Sequence, residues 1–317
     1  MIRIAVVGSL NLDLVVKVDR LAVAGETLSG SDLALFEGGK GANQACAASR
    51  LGARVAMIGQ IGDDVFGPRL VSALAERGVD TSGIGRCPRA TGTALISVMP
   101  NGENSIVISP GANATLHADL VTERMAAFPS LTCTLFQLET PLGGVEAGLL
   151  QARRRGITTI LDPAPFQPLP EALRGAVDFI TPNQSEALAL AGNPSETLTT
   201  WADAARIARR LRVLGFGGVI IKMGELGCHI DCPAVRANVG GFPVHAVDTT
   251  AAGDTFNAAF AVALTEGAGA LEAARFANAA AAISVTRPGA QASVPARFEV
   301  DEFLRANPAL GSATCLP

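Results

Sequence analysis

The residues best suited to chemistry lie between positions 247 and 257, where the chain reads Val247-Asp248-Thr249-Thr250-Ala251-Ala252-Gly253-Asp254-Thr255-Phe256-Asn257. Ala251, Ala252 and Gly253 leave the backbone bare, so consecutive amides can converge on an anion at the start of the apolar helix that follows. Such a turn suits phosphate. A carboxylate at Asp254 would repel that anion unless it took a proton from an attacking hydroxyl or helped to hold a cation. A plain helix N-cap after a glycine turn is the alternative.

A second segment, Phe36-Glu37-Gly38-Gly39-Lys40-Gly41-Ala42-Asn43-Gln44, runs into a helical pattern. Its glycines expose backbone to a ligand and Asn43 can hydrogen-bond hydroxyls, although a purely structural turn reads the same way. No Gly-Lys-Ser/Thr triplet closes it, so it is not a Walker A loop, and a bound nucleotide must be held elsewhere.

Gly38 to Asn43 near the N-terminus and Asp248 to Asp254 near the C-terminus resemble the two signatures of the PfkB sugar kinases, the ribokinase family. Further segments fall in that family's order: Gly8-Ser9-Leu10-Asn11-Leu12-Asp13, Ala24-Gly25-Glu26-Thr27, Gly111-Ala112-Asn113, Gln137 to Pro141, Asp162-Pro163-Ala164-Pro165, Thr181 to Glu186, and Val285 to Pro295. The similarity spans about residues 3–305. It implies a three-layer α/β/α sandwich with a mostly parallel central sheet and a small β-sheet lid. The implied reaction is ATP-dependent phosphorylation of a sugar, ribose at its 5-hydroxyl first, with deoxyribose, fructose or ketodeoxygluconate as alternatives.

The resemblance also assigns residues. Asp254 would be the base, with the amides of Ala251, Ala252 and Gly253 as an anion hole for the transferring phosphoryl group. Asn11, Asp13, Gly39, Lys40, Asn43 and Glu139 would bind sugar hydroxyls. For ATP the implied contacts are Asn183, Lys222, Gly224, Gly227, Gly253 and Asn278. Glu186 would hold Mg²⁺ through water, although Asn183 to Glu186 read alone is a capping box. Asp248, Thr250, Val285, Gly289 and Ser293 would surround a monovalent cation, K⁺, with oxygen ligands. Lys222-Met223-Gly224 departs from the Thr-x-Gly frequent in ribokinases, and Ser109-Pro110 departs at the lid edge. The family further implies a homodimer formed through the lid.

These residues need elements to position them. Apolar runs at 4–7, 55–58, 131–138, 158–161, 179–180 and 218–222 alternate with helical patterns at 43–51, 66–77, 142–155, 184–191, 201–214, 254–266 and 271–286, which indicates parallel βαβ units. Two stretches break the alternation, about 14–36 and 93–109, the latter a hairpin pattern around Asn101-Gly102. They are the expected lid segments. Residues 1–305 read as one α/β domain and 306–317 as a C-terminal tail that could fray.

Composition narrows the function classes. The chain has 317 residues, is 49% hydrophobic and 17% charged, and carries a net charge of −4, which gives no basic footprint for nucleic acid or an acidic membrane surface. The opening Met-Ile-Arg-Ile-Ala-Val-Val-Gly reads as a strand rather than a signal peptide, and no stretch approaches a membrane span. Six cysteines without a C-x-x-C pair suggest thiols of a reducing cytoplasm, and Cys228, His229 and Cys232 read as packing rather than a metal site. A nucleoside pocket would use aromatic faces, whereas there is no Tyr and the single Trp201 lies outside the motifs. The first strand lacks a G-x-G-x-x-G, against a dehydrogenase, and the retained Asp254 and Asn183/Glu186 argue against a non-catalytic sugar sensor.

Overall fold

The computed structural model describes residues 1–316. Fourteen strands are present among them: β1 (Ile4–Val7), β2 (Asn11–Lys17), β3 (Ala34–Gly38), β4 (Val55–Gly62), β5 (Ile84–Cys87), β6 (Gly92–Val98), β7 (Asn104–Ser109), β8 (Cys133–Phe136), β9 (Thr158–Leu161), β10 (Phe179–Ile180), β11 (Val219–Lys222), β12 (Gly227–Cys232), β13 (Val235–Gly240) and β14 (Ala313–Cys315). The α-helices are α1 (Lys40–Arg50), α2 (Phe66–Glu76), α3 (Ala118–Ala126), α4 (Leu142–Arg154), α5 (Glu171–Arg174), α6 (Gln184–Leu190), α7 (Trp201–Val213), α8 (Ala252–Thr265), α9 (Ala270–Ser284) and α10 (Arg297–Ala306).

Ten strands form the central sheet in the order β14-β13-β12-β11-β10-β9-β8-β1-β4-β5. Pairing is parallel from β11 through β5 and antiparallel from β11 outward to β14. The inner strands are apolar on both faces, as a sheet covered by helices on each side requires. On β1, Ile4 and Val6 join one buried cluster with Phe256, Phe260 and the alanines of α8 and α9, while Ala5 and Val7 join the other with Val145, Leu149 and Ile207. The Ala-rich helices allow α8 and α9 to approach closely, and the Phe179 and Phe260 rings meet edge-on at 5.1 Å.

The second sheet is small, in the order β3-β2-β6-β7. β6 and β7 form the expected hairpin, with Gly102 in the left-handed region at its turn. The lid strands begin earlier and end later than the expected 14–36: β2 starts at Asn11 and β3 runs to Gly38. Asn11 and Asp13 therefore sit within a strand, two residues apart and on one face, with Leu12 and Leu14 on the other. α1 likewise starts at Lys40, before the expected residue 43, because Gly39 supplies the positive-φ entry.

The expected frayed tail is corrected. Residues 313–315 pair with β13, and Gly240 N–H donates to Ser312 O at 3.1 Å, so this segment closes the open edge of the sheet. The polar, alternating 227–240 hairpin that receives it, β12 and β13, was also absent from the sequence reading. Cys228, His229 and Cys232 lie buried on β12, with His229 Nδ1 2.7 Å from Asn238 Oδ1, and no group of three potential metal-ligating side chains gathers among the described residues.

Candidate active site

The two glycine-bearing turns open helices whose first residues meet. α1 and α8 lie side by side, and Asp254, in the first turn of α8, is buried against the start of α1. Asn43 Nδ2 donates to Asp254 Oδ2 and Gln44 Nε2 to Asp254 Oδ1, each at 3.0 Å. Gln44 also donates to Asp162 Oδ2 at 3.2 Å and accepts from Gln137 Nε2 at 2.6 Å. Gln44 thus links the first turn of α8 to the chain that follows β8 and β9. Asn43, expected on the sugar, directs its amide at the Asp254 carboxylate.

Burial pushes the Asp254 carboxyl above the ordinary aspartate range; the Lys40 ammonium and the amides of Gln44 and Asn43 pull it back, while Asp162 adds repulsion. Burial equally disfavours the Lys40 ammonium, but Asp254, Asp162, Glu139 and Glu186 outweigh that and hold it firmly charged.

The turn before α8 borders the cavity described below. Ala251 is the only non-glycine residue with positive φ (58°) among those described. That conformation costs an L-residue about 1 kcal/mol and is held by the surrounding loops. Ala252 N–H closes the turn onto Thr249 O at 3.3 Å, so it is not a free donor as expected. First-turn amides such as those of Gly253 and Asp254 lack intrahelical acceptors and face the helix's positive end. Lys222 Nζ stands 3.2 Å from where a Cβ on Gly253 would sit, which brings a cation to the same spot.

On the lid side, Glu139 Oε2 accepts from Lys40 N–H at 3.0 Å and from the Ser9 hydroxyl. Asn11 Oδ1 accepts from Asn113 Nδ2 at 2.7 Å, and Asn113 is itself fixed to both backbone groups of Leu10. Burial, and secondarily the Glu139 charge, pushes the Asp13 carboxyl up to about 7. Gly39 has φ 88°, and a Cβ there would lie 2.7 Å from Asn11 N, so only glycine lets α1 approach β2 this closely. Asn11, Asp13, Gly39, Asn43 and Glu139 thus gather under the small sheet.

A cavity of about 840 Å³ opens on the other side of Lys40 and Asp254. Its inner end is lined by Lys40, Asp162, Lys222, Gly253 and Asp254, and its outer end by Phe242, Pro243, Val244, Ala281 and Ala282. Asn183, Glu186, Gly224, Gly227, Asn278, Ala251, Ala252 and Val285 also border it. Asn183 and Glu186 form a complete capping box, so the plain reading of that pair holds, yet both side chains still face the cavity. Burial raises the Glu186 carboxyl; Lys222 works against it. Asn278 donates its amide to Val239 O and Gly240 O, which makes it a strut of the cavity wall.

Asp248 is already engaged: Oδ1 accepts from Thr250 N–H at 2.9 Å and Oδ2 from Gly289 N–H at 2.8 Å. Val285 O accepts from the amides of Val247 and Asp248, and the buried Ser293 hydroxyl donates to Ala290 O. The carboxylate therefore pins the anion-hole turn to the 285–293 loop by itself. Gln44, Asp162, Ser9, Asn113 and Gln137 received no role from sequence reasoning. Ser9, Asn113, Gln137 and Asp162 lie in segments that carried the resemblance and Gln44 directly follows one, but only their spatial convergence gives them a function.

Comparison with known proteins agrees with this geometry. The pfkB family carbohydrate kinase profile matches residues 1–297. A ribokinase of Haemophilus influenzae is 43% identical over 302 residues, covering 95% of this chain and 98% of that protein. The ribokinase of Thermotoga maritima superposes with a TM-score of 0.87 at 39% identity, covering 96% of this chain and all of its own. Arabidopsis thaliana ribokinase, solved with ribose and ATP, gives 0.87 at 32% identity, covering 96% and 99%.

Proposed function

The chain belongs to the pfkB family of carbohydrate kinases, and from that premise we propose that it transfers a phosphoryl group from ATP to O5 of D-ribose. One observation carries the reading: Asp254 and Lys40 stand between the polar side chains Asn11, Asp13 and Glu139 under the lid and an 840 Å³ cavity lined in part by apolar residues. Those lid-side groups offer acceptors and amides at several angles, which suits the hydroxyls of a sugar. The cavity runs from two lysines to aromatic and alanine surface, which suits a molecule with phosphates at one end and a flat base at the other.

Asp254 takes the proton of the attacking hydroxyl. Burial raises its pKa and so makes it a stronger base than a free aspartate, while the Lys40 ammonium and the Gln44 and Asn43 amides favour its charged form. First-turn amides of α8 and the Lys222 ammonium stabilise charge on the transferring group, and Asn43 and Gln44 fix the carboxylate's direction. Asp13, Glu139 and Asn11 orient the sugar. Gly224, Gly227 and Asn278 shape the wall beside the nucleotide.

A divalent ion fits Glu186 and Asn183. Those two residues would hold Mg²⁺, which would supply charge neutralisation for the nucleotide phosphates. Asp248, Thr250, Val285, Gly289 and Ser293 would offer oxygens to a monovalent ion: the Asp248 carboxylate and the Val285 carbonyl keep lone pairs beyond the amides they accept, and the Ser293 hydroxyl donates while keeping its own. That set fits K⁺. The exposed apolar residues Phe36, Leu95, Ile106 and Ile108 on the lid sheet support a homodimer through the lid, and ATP as donor together with six free cysteines fits a cytoplasmic enzyme. A panel of ribose, 2-deoxyribose, fructose and ketodeoxygluconate assayed with ATP tests the substrate: ribose should be preferred, and preference for another sugar overturns the assignment.

A further inference from the structure

We propose that the segment from Asn307 to Cys315, beyond the span matched to the family, sets the outer wall of the nucleotide cavity, with Arg275 as the positioning residue that holds it there. The inference rests on the reading of this cavity as the ATP site.

Phe242 faces the cavity at its apolar end and is 4% exposed. Three groups from outside the cavity hold its ring. Phe303 of α10 packs against it at 5.2 Å between centroids, and the Arg275 guanidinium lies over it at 5.9 Å. Gly311 covers the rest: it has φ 64°, and a Cβ there would fall 2.5 Å from the ring, so the backbone of the segment rests directly on the aromatic.

The segment is tied down at two places. β14 pairs with β13 at Ala237, Asn238 and Val239, the stretch that leads into Gly240, Gly241 and Phe242. Arg275 donates to the carbonyls of Asn307, Pro308 and Leu310 at 3.1, 3.3 and 3.0 Å. Asn278, one turn further along α9 and itself on the cavity, holds Val239 O and Gly240 O from inside. Phe242 and the 239–241 backbone are thus clamped between Asn278 on the cavity side and the 307–315 segment on the outer side. Nothing in this arrangement reaches Asp13, Glu139 or the lid.

Loosening the clamp should weaken the nucleotide and spare the sugar. The test is Arg275→Ala in the full chain, with truncation after Asn307 as a second variant. Titration calorimetry with the non-hydrolysable analogue AMP-PNP and with ribose separately, and steady-state KM for each substrate, give the readout. The expected result is AMP-PNP affinity and KM for ATP weakened at least ~5-fold in both variants, with ribose constants within twofold of wild type. Unchanged nucleotide constants in Arg275→Ala overturn the proposal, as do equal losses for both ligands, which would mark general loosening. If the truncated chain does not fold, Arg275→Ala alone decides. A wild-type enzyme that binds neither AMP-PNP nor ATP would instead refute the ATP-site reading.

Discussion

Lys222 Nζ lies 3.1 Å from Asp162 Oδ1, in a pair 15% and 3% exposed, with the ammonium set against the first turn of α8. The two residues come from the C-terminal ends of β11 and β9, which flank β10 in the sheet. Asp162 aims the lysine at the anion-hole turn, while its other oxygen accepts from Gln44, which also holds Asp254. Cation, positioning amide and base are therefore one connected unit.

Lys222→Met should lower kcat more than it raises KM for ribose, because the lost charge faces the transferring group. It also strands Asp162, which at full burial costs up to about 3–5 kcal/mol. Urea unfolding should show a clear loss, and adding Asp162→Asn should recover part of that stability without recovering turnover. Full activity in Lys222→Met would remove the lysine from the reaction.

The Asp13 and Glu139 pair predicts a pH effect on stability. Burial and the Glu139 charge raise Asp13 from 3.8 to about 7 in the folded chain, so between those values the folded state binds more protons than the unfolded one. Stability from this group is then highest below about 4 and falls as pH rises to about 7. Asp13→Asn should remove that slope and, without sugar at pH 8, raise stability by about 1 kcal/mol or more, since one pKa unit is worth about 1.4 kcal/mol. Identical pH profiles for the two proteins in thermal melts would contradict the assigned environment.

Asp248 joins the turn at Thr250 to the loop at Gly289 with both carboxylate oxygens. Asp248→Ala should therefore lower kcat roughly tenfold or more through misplaced amides and abolish activation by K⁺. Titrating K⁺ into an organic-cation buffer at constant ionic strength and saturating Mg²⁺ checks both. A flat wild-type response, or an undiminished one in Asp248→Ala, would remove the monovalent ion from the site.

Much of this was readable from the residues, for physical reasons that differ by element. The inner strands and their helices follow from apolar runs and Ala-rich periodicity, since β1, β9 and α7 need no long-range information to be recognised. Asp254 stood out because a carboxylate after bare amides is electrostatically costly. β12 and β13 escaped because His229, Asp231, Arg236 and Asn238 interrupt the apolar pattern, and β14 because three residues are too few to carry one; His229 is fully buried, with only its Nδ1 facing Asn238 on the paired strand. Gln44 and Asp162 escaped because their role lies in contacts across 118 and 210 positions of chain. No local spacing reports such a contact. The Asn183/Glu186 capping box shows that a local rule and a functional position can coincide.

The central claim, that Asp254 is the base of a ribose kinase, is tested most directly by the turnover of Asp254→Asn with ribose and ATP, measured beside its ribose and AMP-PNP affinities. The amide keeps the size of the side chain and removes only the proton acceptor. In that variant kcat should fall at least ~10²-fold, the scale for losing a general base, with both affinities within a few-fold of wild type. Near-wild-type turnover in the folded variant would contradict it.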